Sequence, residues 1–161
     1  MRGFSKLDNP THEGKTNTWL TPLEIVNALG KFDLDPCGVE GHLTADRLIV
    51  LPECGLAANW EGRVWLNPPY GKEIGKWLNK LESHGNGIAI VFSRTDTKWF
   101  QDLKPTAMFF MKGRIAFLKE DKTKDSNAGH GSVLLIFGEN NIEFVKNSGL
   151  KGILISPSTT N

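Results

Sequence analysis

Apolar residues along the 161-residue chain fall into two patterns. The first is the short continuous run: Val64-Trp65-Leu66, Ile88-Ala89-Ile90-Val91-Phe92, Met108-Phe109-Phe110-Met111 and Ser132-Val133-Leu134-Leu135-Ile136-Phe137. Runs of this length, bounded by Gly, Pro or charge, predict strands buried on both faces. The second is helical spacing. Ile74, Trp77, Leu78 and Leu81 predict a helix from about Glu73 to Ser83. An earlier short helix is predicted where Thr21 can cap, Pro22 fits the first helical position and Glu24 completes a capping box. Ile25, Val26 and Leu29 form its stripe and Gly30 stops it. Asp96 can cap a third, containing Trp99, Phe100 and Leu103. Phe32-Asp33-Leu34-Asp35 alternates briefly into Pro36, a short strand whose end carries Asp35, Pro36, Cys37 and Gly38. A weaker strand is predicted around Ile153-Leu154-Ile155.

Strands alternating with helices in this way predict an α/β domain, a mostly parallel sheet with helices on both faces. One domain accounts for the whole chain. Residues 1–17 read as a polar arm, 119–131 as a charged surface loop and 156–161 as a frayed tail. Composition changes this picture little. No run approaches a membrane-spanning length, and the start of the chain lacks an apolar signal core, which points to an intracellular protein. Two cysteines do not make a disulfide framework, and the four histidines show no metal-ligand spacing.

Charge is more informative by region than in total. The net charge is only +1, yet residues 32–61 carry six acidic side chains against one basic. Residues 94–124 carry eight basic against four acidic. A positive surface confined to the second half can meet phosphates without making the chain basic overall.

The sharpest chemical signal is Asn67-Pro68-Pro69-Tyr70, directly after a buried strand. Open α/β sheets bind ligands at the carboxyl ends of their strands. The prolines restrict the turn and lack N–H donors, so carbonyls there remain acceptors. Asn67 adds a side-chain oxygen acceptor. Two converging acceptors suit an exocyclic amine whose lone pair attacks carbon. The Tyr70 ring can stack on the flat system bearing that amine, a role needing the ring more than its hydroxyl.

These residues resemble the amine-binding motif of S-adenosylmethionine-dependent amino-methyltransferases. More closely, the chain resembles the phage-type, Dam-like DNA N-6-adenine methyltransferases. The likeness rests on an ordered set: Trp19-Leu20-Thr21-Pro22, Leu34-Asp35-Pro36-Cys37, Trp60-Glu61-Gly62, Asn67 to Gly71, Arg94 to Phe100 and Gly113 to Phe117. It spans about residues 19–137.

The resemblance implies a compact Rossmann-like methyltransferase fold, S-adenosylmethionine as methyl donor and adenine N6 of double-stranded DNA as acceptor, in a bacterial host's cytoplasm. It implies that Asn67 and the Pro68 carbonyl hold the amine, that Pro69 shapes the turn, and that Tyr70 stacks on a base swung out of the duplex. The cofactor would lie against Asp35, Pro36 and Cys37, with Trp19, Thr21 and Pro22 closing over its other side. Asp46 is a candidate hydroxyl acceptor. Arg94, Lys98 and Arg114, with Lys119, Lys122 and Lys124 in the charged loop, are candidates for DNA contact. No metal is implied.

Two departures qualify the likeness. A glycine-rich Gly-x-Gly-x-x-Gly loop is absent, and only 31 residues separate Asp35 from Asn67, room for little more than one crossover unit. The alternatives are therefore a cytosine-N4, RNA or protein-glutamine methyltransferase, or a non-catalytic DNA-binding protein on a decayed methyltransferase fold.

Overall fold

The computed structural model describes residues 19–124 and 129–157. The arm expected over 1–17, part of the 119–131 loop and the end of the tail lie outside them. The elements run α1 (Leu23–Ala28), β1 (Leu34–Asp35), β2 (Arg47–Leu48), β3 (Val64–Leu66), α2 (Ile74–His84), β4 (Gly87–Phe92), α3 (Lys98–Gln101), β5 (Ala107–Met111), β6 (Ser132–Phe137), α4 (Glu139–Lys146) and β7 (Gly152–Ile155).

All seven strands join one sheet in the order β2-β1-β3-β4-β6-β5-β7. Strand side chains alternate between its faces. Val64, Leu66, Ala89, Val91, Val133 and Leu135 pack with Trp77, Leu78 and Leu81 of α2. Trp65, Ile88, Ile90, Leu134 and Ile136 pack on the other face with Val26 of α1 and Val145 of α4. Helices on both faces explain why the central strands are apolar at every position.

The sheet is not mostly parallel. β1 pairs in parallel with β2 and β3, and β3 with β4, but every pairing from β4 outward is antiparallel. β6 runs back between β4 and β5 and carries the longest registers. A strand buried on both faces has the same apolar run whichever way it points, so strand direction left no mark in the pattern.

Local differences have equally local causes. The expected capping box does not form: Pro22 is the N-cap of α1, without a side-chain cap bond, and Thr21 lies outside the helix. Thr97, not Asp96, is the N-cap of α3, and that helix ends before Leu103. Helix α4 was absent from the pattern because its buried stripe pairs Val145 with a polar residue, Asn141. Strand β2 is two residues long and too short for periodicity to reveal.

The order of β2, β1 and β3 positions the site. From β1 the chain moves outward to β2, then crosses back to β3 on β1's other side. Such a reversal opens a crevice at the carboxyl ends of the two strands that part. Asp35 ends one of them and Asn67 follows the other.

Candidate active site at the carboxyl edge

A cleft of about 450 Å³ opens there, within the usual size range of small-molecule sites. One wall is Asp35, Pro36 and Cys37; the opposite wall is Asn67, Pro68, Pro69 and Tyr70; Trp19, Leu20 and Thr21 form a third side. Eleven catalytic and cofactor positions were expected from separate segments, and nine of them share one cleft with Leu20. Pro22 is buried as the N-cap of α1 and does not line it.

Asp46 is a second exception and a correction. Its backbone N–H donates to the Phe32 carbonyl, and its exposed carboxylate pairs with Lys31 at 3.0 Å. It precedes β2 and so lies toward the amino edge, away from the cleft. The carboxylate that follows β2 and does line the cleft is Glu53, whose partner Arg47 stands 3.6 Å away on the surface. Gly55 closes the wall beside it. A Cβ at that position would stand 2.0 Å from the Pro36 carbonyl oxygen, so only glycine allows the approach.

Asp35 is buried at the floor. Its Oδ1 accepts the Cys37 backbone N–H at 2.9 Å, and its Oδ2 accepts the Thr44 hydroxyl. Burial nevertheless pushes its pKa up to about 6, outweighing the two hydrogen bonds. At neutral pH this is a desolvated carboxylate suited to a cationic ligand. Burial and the Asp35 charge hold the Cys37 thiol well above its ordinary range, so it stays protonated and a poor nucleophile. The Thr21 hydroxyl, also in the wall, is buried with no hydrogen-bond partner among the described residues. An orphaned buried hydroxyl at a cleft is a group awaiting a ligand atom.

Asn67 is oriented by a single contact. Its Nδ2 donates to the Trp19 carbonyl at 2.6 Å. A carbonyl can only accept, so the amide nitrogen must face it and Oδ1 is turned the other way. Among the described residues neither Asn67 Oδ1 nor the Pro68 carbonyl accepts a hydrogen bond. Both acceptors that the sequence suggested are therefore present, with no hydrogen bond donated to them by the described residues.

Tyr70 is 40 % exposed, with its ring stacked on Phe92 at 4.7 Å and 19° between planes. Its hydroxyl oxygen accepts the Phe92 backbone N–H at 2.6 Å. Beyond Leu66 the prolines end β3, so this N–H of β4 has no strand partner on that side, and the phenol supplies one. Burial of the hydroxyl raises its pKa and keeps it neutral. The sequence reading, centred on the ring's flat face, missed this anchoring role.

The basic residues lie outside the cleft. Arg94 is exposed after β4, near enough to Tyr70 for its charge to act on the phenol. Lys98 is paired with Asp102 on the surface. Arg114 is exposed after β5, and β5 runs in the same direction as β4, so both arginines reach the sheet's carboxyl edge. Lys119 and Lys124 are exposed on a hairpin closed by bridging of Leu118 to Lys124. Lys122 is spent otherwise: its Nζ donates to the Gly41 carbonyl at 3.1 Å, joining that hairpin to the segment after β1.

His42 and Thr44 were not singled out for the site by sequence. Both are buried cleft residues whose side chains bond to Thr21 and Asp35 respectively. No motif marks them, since their partners are fixed only by the fold.

A mixed α/β sheet with a crevice at a strand-order reversal, walled by a carboxylate, indoles and a proline-rich turn, has the architecture in which α/β proteins commonly place a small-molecule site at the sheet's carboxyl edge. Comparison with known proteins narrows the class. The family model for DNA N-6-adenine-methyltransferase (Dam) matches residues 8–150, and the chain belongs to that family. A DNA N-6-adenine-methyltransferase of Escherichia phage T1 is 28% identical over 144 residues, covering 80% of this chain and 58% of the phage protein. The chain thus matches somewhat over half the length of that relative. No solved structure shows a significant match. Among the described residues, no helix is long and apolar enough to cross a membrane.

Proposed function

We propose that this protein methylates adenine N6 in double-stranded DNA, with S-adenosylmethionine as donor, and that it works in the cytoplasm of a bacterial host as a single methyltransferase domain of Rossmann-like descent. The carrying observation is that one cleft joins the Asp35 turn to the Asn67-Pro68-Pro69-Tyr70 turn in a chain of the Dam family.

The cleft suits the donor. Asp35 offers a desolvated carboxylate for a cationic group, Thr21 a hydroxyl without a hydrogen-bond partner among the described residues, Glu53 a carboxylate for hydroxyls, and Trp19, Trp65 and Trp77 apolar faces. When bound, S-adenosylmethionine supplies an activated methyl on a sulfonium.

The chain's own task is alignment and charge stabilisation, which needs no covalent enzyme intermediate. Asn67 Oδ1 and the Pro68 carbonyl accept the two N6 hydrogens and direct the nitrogen lone pair. They also stabilise positive charge as it develops on the nitrogen. Tyr70, pinned on one face by Phe92 and at its hydroxyl by the β4 backbone, offers the other face to an extruded base. Arg94 and Arg114, with Lys119 and Lys124, provide the charge that meets DNA phosphates.

Incubation of unmodified DNA with methyl-labelled S-adenosylmethionine, followed by nucleoside analysis, tests the reading. Label in N6-methyl-2′-deoxyadenosine supports it. Label in N4-methylcytosine, RNA or protein reassigns the acceptor. Calorimetric titration showing no S-adenosylmethionine binding with DNA present would leave a non-catalytic DNA-binding protein instead.

A further inference from the structure

Asn67 can serve as an acceptor only while its amide is held in one sense, and the atom holding it belongs to a different part of the chain, 48 residues away. The Trp19 carbonyl lies on a strap, residues 19–21, with no helix or long strand of its own. What fixes the strap therefore fixes the acceptor.

The strap has two further anchors. Leu20 exchanges both backbone hydrogen bonds with Leu118, at 2.7 and 2.8 Å. That bond pair is made by backbone alone and constrains the middle of the strap. At Thr21 the carbonyl is met by His42 Nε2 at 2.9 Å. Since a carbonyl cannot donate, Nε2 carries the hydrogen in either charge state of the ring. His42 is 4% exposed and Thr21 1%, so water cannot readily replace this contact. Nothing else among the described residues is bonded to the Thr21 carbonyl.

We propose that His42 is a positioning residue for methyl transfer: through the Trp19–Thr21 strap it holds the Asn67 amide so that Oδ1 faces the amine. The proposal rests on the methyl-transfer reading above. Loss of the imidazole removes the hydrogen bond to the Thr21 carbonyl, so the strap is then held by the Leu20–Leu118 pair and by its covalent join to Pro22 at the start of α1. The Trp19 carbonyl then drifts, and the Asn67 amide rotates between two senses, only one of which presents an acceptor. Misplacement of a reacting group by a fraction of an ångström to an ångström costs roughly ten- to a hundredfold in rate.

The test compares His42→Ala with His42→Gln, whose side-chain amide can donate to the same carbonyl. In His42→Ala, kcat for methyl transfer to DNA falls about ten- to a hundredfold, a larger change than any rise in KM for S-adenosylmethionine. In His42→Gln most of kcat returns. An unchanged kcat in His42→Ala, a glutamine variant no better than alanine, or a loss confined to cofactor KM would each overturn the proposal. An activity-independent readout accompanies it. The Asn67 side-chain amide pair, assigned in ¹H–¹⁵N spectra by its disappearance in Asn67→Ala, exchanges slowly with solvent in the natural protein. It becomes fast in His42→Ala and slow again in His42→Gln. Equal exchange in all three overturns the strap linkage, even if no methyl transfer to DNA is found.

Discussion

The two edges of the sheet are built on opposite principles. At the amino edge, Arg63 is almost completely buried, and its guanidinium donates to Asn141 Oδ1 at 2.6 Å and to the Lys31 and Leu29 carbonyls at 3.0 and 2.7 Å. Its Cζ lies over the rings of both Phe32 and Phe144, 4.1 and 3.7 Å from their centroids. Burial lowers its pKa to about 10, still leaving it charged at neutral pH. Its donors thereby tie the end of α1 to α4. At the carboxyl edge lies a desolvated carboxylate at Asp35, and among the described residues the Thr21 hydroxyl, Asn67 Oδ1 and the Pro68 carbonyl have no hydrogen-bond partner. The contrast teaches that satisfied polar groups mark where this fold is held, and those without partners among the described residues gather at its cleft.

That comparison can be broken most sharply at Asn67. Asn67→Ala is expected to lower methyl transfer about 10²–10³-fold, as loss of a charge-stabilising contact does. The melting temperature should move little, since the side chain is only half-buried. A large fall in melting temperature would place Asn67 among the structural groups. At the other edge Arg63→Met should behave in reverse. Three acceptors lose charged donors, so unfolding free energy falls by about 3 kcal/mol. S-adenosylmethionine affinity of the folded protein, read by calorimetry, stays unchanged.

Asp35 gives a finer test through pH. Its folded-state pKa of about 6 stands above the ordinary 3.8. The native state therefore binds the extra proton between these values, and stability is lost as pH rises through about 6. Asp35→Asn should remove that loss, raising stability at pH 7–8 by on the order of 2 kcal/mol while weakening cofactor binding. Denaturant titrations at pH 4 and pH 8 measure it; a variant less stable at both would contradict the assignment. Thr21→Val should follow the same logic at about 1 kcal/mol, a small gain in stability with reduced cofactor affinity. The smallest effect is expected for Tyr70→Phe, which keeps the ring but abandons the Phe92 N–H. Transfer should fall about threefold to tenfold, in line with one hydrogen bond of about 1 kcal/mol, with the cofactor KM unaltered.

Much of the fold was legible because it is written locally. Helix α2 starts within one residue of the position its stripe suggests, and the buried runs at β3, β4, β5 and β6 are strands where expected. Legibility failed where a polar residue took a core position. Asn141 is completely buried because Arg63, 78 residues earlier, bonds to it, and no periodicity anticipates such a partner. The same holds for Asp46, a candidate hydroxyl acceptor that is found in an ion pair with Lys31.

By itself the sequence determined the Asn67-Pro68-Pro69-Tyr70 turn and its place after a buried strand, because proline geometry and apolar runs act between covalent neighbours. It also determined the carboxylate turn at Asp35 and the ring at Tyr70. Only the tertiary structure decided strand direction, the sense in which the Asn67 amide is held, the Tyr70 hydroxyl's grip on β4 and the His42 anchor of the strap. Each of those depends on groups from distant parts of the chain, 48, 22 and 21 residues apart for the three hydrogen bonds. A hydrogen bond across such a distance forms only after the sheet has assembled, so it leaves no pattern along the chain.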